Sequence, residues 1–212
     1  MTTIAVIDYG MGNLRSVSKA LEHVAPGARV EVTSDPVAVA AADRVVFPGQ
    51  GAMPDCMREM DARGLRPAVL AAAQAKPFLG ICIGLQMLFE SSDEGDVRGL
   101  AVLAGRVRRF PREAMRDQQG MRLKVPHMGW NRVWQRNAHP LWSGIEDGTR
   151  FYFVHSYYAQ VEDEQIVSGV SDYGLPFTCA VARDNIFAVQ FHPEKSHIAG
   201  LRLLSNFVDW NR

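Results

Sequence analysis

The chain has 212 residues, 47% of them hydrophobic and 22% charged, and its 23 basic side chains balance 23 acidic ones. That length and composition describe a globular chain long enough to bury a full core, not a disordered one. A formal charge of zero gives no electrostatic basis for nucleic acid or an anionic membrane as the main partner. No run approaches the ~18 apolar residues of a membrane span. The first residues, Met1 to Asp8, lack the basic and apolar segments of a secretory signal. Cys56, Cys82 and Cys179 form no C-x-x-C pair, a usage that fits a reducing cytoplasm rather than disulfides or structural zinc.

In chain order, Thr3 to Ile7 is an apolar strand ending in Asp8-Tyr9-Gly10-Met11-Gly12, and Asn13 is placed to cap a helix striped by Val17, Leu21 and Val24. Arg29 to Thr33 is a second strand. Ser34 or Asp35, with Pro36, opens a short alanine-rich helix. Arg44 to Phe47 is a third strand, ending at Pro48-Gly49-Gln50-Gly51, and helical sequence interrupted near Gly64 follows to Ala75. A fourth strand, Phe78 to Ile81, runs into Cys82 and a helix predicted to reach about Ser91. Apolar strands alternating with helices predict a parallel sheet covered on both faces, with functional groups beyond the strands' carboxyl ends. The Asp8 turn, the Pro48 loop and Cys82 all lie at such ends.

After Gly99 the pattern predicts strands joined by turns over 102–110, 123–134, 151–161, 166–170, 177–182 and 186–191. This half reads as a mostly antiparallel extension of the first sheet. Leu201, Leu204, Phe207 and Trp210 mark a closing helix. With no repeat or linker, residues 1–212 read as a single domain, and 111–122 as its mobile loop. The basic run Arg106, Arg108, Arg109 and Arg112 reads as a solvated edge strand and loop.

Gly80-Ile81-Cys82-Ile83-Gly84 has the spacing of a nucleophile elbow with cysteine in place of serine. The following helix start would aim N–H groups at the sulfur, favouring the thiolate and offering donors to an oxyanion. Downstream, a strand runs into Gln190-Phe191-His192-Pro193-Glu194. Residues two apart on extended backbone share a side, and Pro193 holds His192 extended. His192 can therefore move protons while Glu194 orients its ring, which completes a triad with Cys82. A zinc site built from the same three residues lacks a fourth ligand, so no metal is assigned.

These two motifs, in this order and at this separation, resemble the class I (triad) glutamine amidotransferases. Within that class the sequence is similar to the glutaminase subunits of imidazole glycerol phosphate synthases. The narrower likeness is carried by Asp8 to Leu14, Pro48 to Met53, Gly84-Leu85-Gln86, Pro126-His127-Met128-Gly129-Trp130-Asn131 and His155-Ser156-Tyr157-Tyr158. The resemblance implies a flavodoxin-like α/β three-layer sandwich, a mostly parallel central sheet with an antiparallel extension. It implies L-glutamine hydrolysis by Cys82, His192 and Glu194, with an oxyanion held by the backbone N–H groups of Ile83 and Gln50. Gly49, Gly51, Gln86, Ser156 and Tyr157 would bind glutamine. Ammonia would pass to a (β/α)8-barrel cyclase in a heterodimer, whose interface would include Asn13, Met128, Trp130 and Asn131. Trp130 and Trp134 read equally as core. No cofactor is implied. Gln50 stands where the relatives often carry valine, which bears on how the loop flips but leaves its backbone donor in place. Two alternatives stay open: a subunit serving anthranilate, aminodeoxychorismate, GMP or pyridoxal phosphate synthesis, and a stand-alone cysteine hydrolase. A non-catalytic binding subunit is the reading from a different class, and the intact triad counts against it.

Overall fold

The computed structural model describes residues 1–113, 115–117 and 119–211. Its first half alternates strand and helix: β1 (Thr3–Ile7), α1 (Leu14–Val24), β2 (Arg29–Thr33), α2 (Pro36–Ala41), β3 (Arg44–Gly49), α3 (Met53–Ala62), α4 (Arg66–Ala75), β4 (Phe78–Cys82) and α5 (Ile83–Gln86). The second half holds β5 (Phe89–Ser92), β6 (Val97–Arg98), β7 (Leu103–Arg109), β8 (His127–Arg132), β9 (Trp134–Gln135), β10 (Arg150–His155), β11 (Tyr157–Val161), β12 (Val167–Asp172), β13 (Pro176–Arg183), β14 (Ile186–Val189) and α6 (His197–Asp209).

The main sheet runs β2-β1-β3-β4-β14-β13-β11-β7-β5-β6, with β12 beside β13 and β9 beside β12. From β2 to β14 every pairing is parallel, and from β14 to β7 every pairing is antiparallel. This is the predicted α/β sheet with its antiparallel extension. Every residue of β3, β4 and β14 is buried, as a parallel strand covered on both faces must be. Helices pack in pairs, α1 with α6 and α2 with α4. Asp35 caps α2, its carboxylate accepting the Val37 N–H at 2.9 Å. Asn13 holds the corresponding place before α1 but makes no side-chain cap, so that expectation is corrected.

Four further expectations change. The helix after Cys82 is a single turn, and Phe89–Ser92 is a strand instead. Local sequence favours helix there, but pairing of β5 with β7 and β6 prevails. The predicted strand 151–161 is two strands divided at Ser156: β10 pairs with β8 in a separate two-stranded ribbon, while β11 joins the main sheet. The predicted 123–134 strand is shortened to β8, then β9. Strand β7, which carries Arg106 to Arg109, lies inside the sheet between β11 and β5 and is not an edge. Arg106 and Arg109 are solvent-exposed as expected, while Arg108 pairs with Asp93 at 3.1 Å and Arg109 lies 6.0 Å over the Tyr157 ring. The predicted mobile stretch 111–122 includes residues 114 and 118, which lie outside the described residues. In the remainder, Arg116 bridges Arg122 and Met115 is buried. No helix among the described residues is long and apolar enough to cross a membrane.

Candidate active site

Parallel pairing of β1, β3 and β4 brings the Asp8 turn, the Pro48 loop and Cys82 to one edge of the sheet. Gly49 lies opposite Cys82 in the β3–β4 register. The chain turns at Cys82 with φ 56°, in the left-handed region. Holding a non-glycine residue there costs roughly 1–3 kcal/mol, the strain a nucleophile elbow stores to lift its side chain clear of the strand. Gly84 is required two residues on, because a Cβ there would overlap the Phe47 carbonyl oxygen of β3. The one-turn length of α5 corrects the electrostatic expectation. Its N–H groups remain available, but a dipole summed over four residues is small. Charge beside the sulfur comes instead from a side chain.

That side chain is His192. Its neighbour β14 pairs in parallel with β4, so the chain leaving β14 arrives beside Cys82. His192 is fixed on both sides of its backbone: its N–H donates to the Tyr152 carbonyl at 2.9 Å, and its carbonyl accepts the Ser196 hydroxyl at 2.6 Å. Nδ1 lies 2.9 Å from Glu194 Oε1, with both side chains almost wholly buried. Because a carboxylate only accepts, Nδ1 carries hydrogen and Nε2 is the working nitrogen. Nε2 is buried and has no hydrogen-bond partner among the described residues. Burial alone would lower the His192 pKa, but the adjacent Cys82 sulfur and Glu194 carboxylate together outweigh it and raise it to about 10. The direction of that shift favours the protonated ring beside the sulfur.

Cys82, Ile83, Gln86 and His192 line one cavity of about 250 Å³, with Gln50, Gly51, Ser156 and Tyr157. Gly49 is held just behind it against Ile83 and Tyr9. Gln86 donates to the Tyr157 carbonyl at 3.2 Å and to Gln190 Oε1 at 3.0 Å, leaving its own buried Oε1 without a partner among the described residues. That geometry supplies a fixed acceptor for an amide or ammonium ligand. The Pro48 loop is braced from below, with Tyr9 donating to the Pro48 carbonyl at 2.7 Å and the Cys56 thiol lying 3.6 Å from the Gln50 carbonyl. Burial pushes the Cys56 thiol up to about 11, which keeps it a neutral donor.

The four residues expected at an interface lie outside this cavity. Met128, Trp130 and Asn131 line a separate shallow depression of about 290 Å³ on the β8 ribbon, and Asn13 follows the Asp8 turn. Trp130 and Trp134 are 42% and 44% exposed, so neither is a core residue. Trp130 stacks on His197 at 5.0 Å.

Several site residues were missed. Gln190 sits inside the histidine motif, yet its amide reaches toward Cys82 Sγ at 3.7 Å and fixes Gln86. Alternation along the strand end was the available signal. Glu94 and Lys195 give the cavity one acid and one base. Glu94 enters only because β5 is a strand, and no local motif announces it. Burial raises the Glu94 pKa, and the Met53 N–H at 2.8 Å opposes that shift.

His127 and His155 form a buried pair beside the cavity, exposed by 3% and 5%. Burial lowers their pKa values to about 4 and about 3, and His139 to about 4. Unfolded, each would bind a proton near pH 6.5. The unfolded state therefore holds more protons between pH 6.5 and 4, and stability must fall as pH falls through that window. Each member of the buried pair contributes on the order of 1–2 kcal/mol to that loss between pH 6.5 and 5. Thermal melting is expected to drop by several degrees over that range, and a midpoint independent of pH would contradict the assignment.

The family model described as glutamine amidotransferase class-I matches residues 5–210 of the chain. The imidazole glycerol phosphate synthase subunit HisH of Dechloromonas aromatica (strain RCB) is 73% identical over 98% of this chain and 96% of its own. The protein of the same name from Thiobacillus denitrificans (strain ATCC 25259 / T1) is 68% identical over 98% and 91%. Among solved structures, PurLQS from Thermotoga maritima superposes with a TM-score of 0.72 at 18% identity, covering 98% of each chain. A glutamine amidotransferase from Thermotoga maritima gives 0.61 at 16%, covering 98% of this chain and 83% of that one. At such identities these structures speak to the fold alone.

Proposed function

This chain belongs to the class-I glutamine amidotransferase family, and from that premise we propose that it is the glutaminase subunit of an imidazole glycerol phosphate synthase, releasing ammonia from L-glutamine for histidine biosynthesis. The observation that carries the chemistry is the meeting of the Cys82 elbow with a buried His192–Glu194 pair in one cavity. The narrower identity rests on the relatives at 73% and 68% identity along nearly the whole chain.

The Cys82 sulfur attacks the side-chain carbonyl carbon of glutamine. The oxygen becomes an oxyanion between the Ile83 and Gln50 N–H groups. His192 Nε2 gives its proton to the departing nitrogen, ammonia leaves, and a γ-glutamyl thioester remains on Cys82. A water molecule then surrenders a proton to His192 and attacks the thioester, releasing glutamate and restoring the sulfur. Glu194 holds the ring in the right tautomer throughout. Gln86 Oε1 and the Gly49, Gly51, Ser156 and Tyr157 backbone grip the rest of glutamine, and Glu94 adds an acceptor for its α-ammonium.

Ammonia free in water is protonated and lost, so it needs an enclosed route to a second active site. We assign that site to a (β/α)8-barrel cyclase partner, docking on the face that bears Asn13, Met128, Trp130 and Asn131. The exposed Met128 and Trp130 are suited to such burial. The three cysteines are unpaired and buried, which supports a cytoplasmic setting. One hydrophobic cluster joins Ile4 to Trp210, which supports one domain over 1–212.

The deciding experiment measures glutamate release with different synthase partners. The cyclase with its nucleotide ligand should raise the rate at least about 10-fold, the order of an ordinary allosteric coupling. Stimulation by the anthranilate synthase partner instead would move the chain to another synthase. Full activity without any partner would make it a stand-alone hydrolase.

A further inference from the structure

A run of hydrogen bonds, fully buried at its centre and partly buried at its ends, crosses from the β8 ribbon to the cavity, and every link in it points the same way. The Tyr157 carbonyl can only accept, so His155 Nδ1, 2.8 Å away, carries hydrogen. In the neutral ring His155 Nε2 is then the lone-pair nitrogen. It lies 2.9 Å from His127 Nδ1, which must be the donor. His127 Nε2 in turn accepts, and Asn131 Nδ2 stands 3.4 Å from it. The Asn131 amide is oriented independently: Nδ2 donates to the Asp172 carbonyl at 2.7 Å, and Oδ1 accepts the Arg132 N–H at 2.8 Å. No second arrangement of hydrogens satisfies all these contacts with both rings neutral.

The surroundings make this chain costly to keep. Phe110, Phe153, Tyr173 and Phe177 enclose the two rings at 4.0–6.0 Å between centroids. Aromatic packing alone would be served as well by phenylalanine, without a polar pair to desolvate. The inner end explains what the polar pair adds. The Tyr157 carbonyl that receives His155 also receives Gln86 Nε2, and Gln86, whose Oε1 is buried without a partner among the described residues, lines the cavity. His127 and His155 face each other across the β8–β10 register, just before the chain turns at Ser156.

We propose that the Asn131→His127→His155→Tyr157 hydrogen-bond chain is a positioning device that sets the Ser156–Tyr157 segment and the Gln86 amide for glutamine, with His127 as its central positioning residue. It rests on the reading of the cavity as the glutamine site. Its action falls on binding, because none of its members reaches the reacting sulfur.

Two substitutions at one position test it in the complex with the cyclase partner. His127→Phe keeps the stacked ring and removes the donor. His127→Asn loses the ring but places an amide N–H near the position of Nδ1. The KM for glutamine is expected to rise about 10-fold in His127→Phe, the scale of one lost hydrogen bond. It should stay within about threefold of wild type in His127→Asn, although that variant melts at the lower temperature. Ammonia-dependent synthesis should be unchanged in both. An unchanged KM in His127→Phe, or KM values that track melting temperature, would overturn the proposal. Imidazole ¹⁵N spectra of the free chain give a second reading that needs no glutamine. Both rings should be neutral Nδ1–H tautomers, and an Nε2–H tautomer at either position would refute the chain. Loss of the glutamine reading itself has a separate sign, glutamate release that survives Cys82→Ala.

Discussion

Cys82→Ala is expected to reduce glutamate release by about 10⁴-fold or more, while leaving ammonia-dependent synthesis in the complex at the wild-type rate. The substitution removes one sulfur from a buried turn and leaves the backbone of that turn able to form. Neither other cysteine can replace it: Cys56 is a neutral thiol tied to the Gln50 carbonyl, and Cys179 lies buried in β13. Supplied ammonia enters after the step that Cys82 performs, so it bypasses the lesion. His192→Ala should be nearly as damaging, and the double variant no worse than Cys82→Ala alone, because the two residues act in one step. Parallel assays with glutamine and with ammonium salts make the measurement. Residual glutaminase above a few per cent, or equal loss with ammonia, would remove Cys82 from the chemistry.

The second large effect comes from a residue with no side chain. Gly84→Ala is expected to cost more than about 4 kcal/mol of stability or, where the fold tolerates it, about 10³-fold in glutaminase rate. The new methyl would overlap the Phe47 carbonyl oxygen, and that oxygen belongs to β3 and cannot rotate away. Strand β3 is wholly buried and paired on both sides, so α5 has to move instead. Ile83 is packed against Gly49, and displacing it pulls a proposed oxyanion donor out of line. Melting temperature and turnover of the purified variant report the two outcomes. Gly27→Ala, at a position with open space around it, supplies the control that should change neither. Wild-type melting and turnover in Gly84→Ala would mean that the elbow is looser than its contacts imply.

Much of this was legible in sequence because it is local or strongly patterned. After their first residues β1 and β3 are apolar runs, as β4 is throughout, and such runs become buried parallel strands. Cys82, His192 and Glu194 stand in short motifs whose spacing reflects a turn and an extended strand end. What escaped was decided by distant partners. Met87 to Ser92 looks helical beside the elbow, yet β7 recruits Phe89–Ser92 as a strand and thereby sets Glu94 in the cavity. Phe151 to Val161 reads as one strand, since nothing local records that its two halves pair in different sheets. The arginines of β7 look like a solvated edge because interior pairing leaves no mark on their own sequence. Gln190 was visible in its motif, but its task depends on Gln86, a contact spanning 104 positions.

The division of the chain at Ser156 has a mechanical meaning. Cys82, Ile83 and Gln86 wall the cavity from the main sheet, whereas Val154 and His155 wall it from the ribbon. Ser156 is one covalent joint between the two bodies, and Val133, between β8 and β9, is another. The width of the cavity is therefore an angle between sheets, not a distance within one. The ribbon also holds the base, since the Tyr152 carbonyl of β10 accepts the His192 N–H at 2.9 Å, so any tilt of the ribbon would carry the substrate's wall and the His192 backbone together. The nucleophile stands on the anvil and the substrate's wall on the lever.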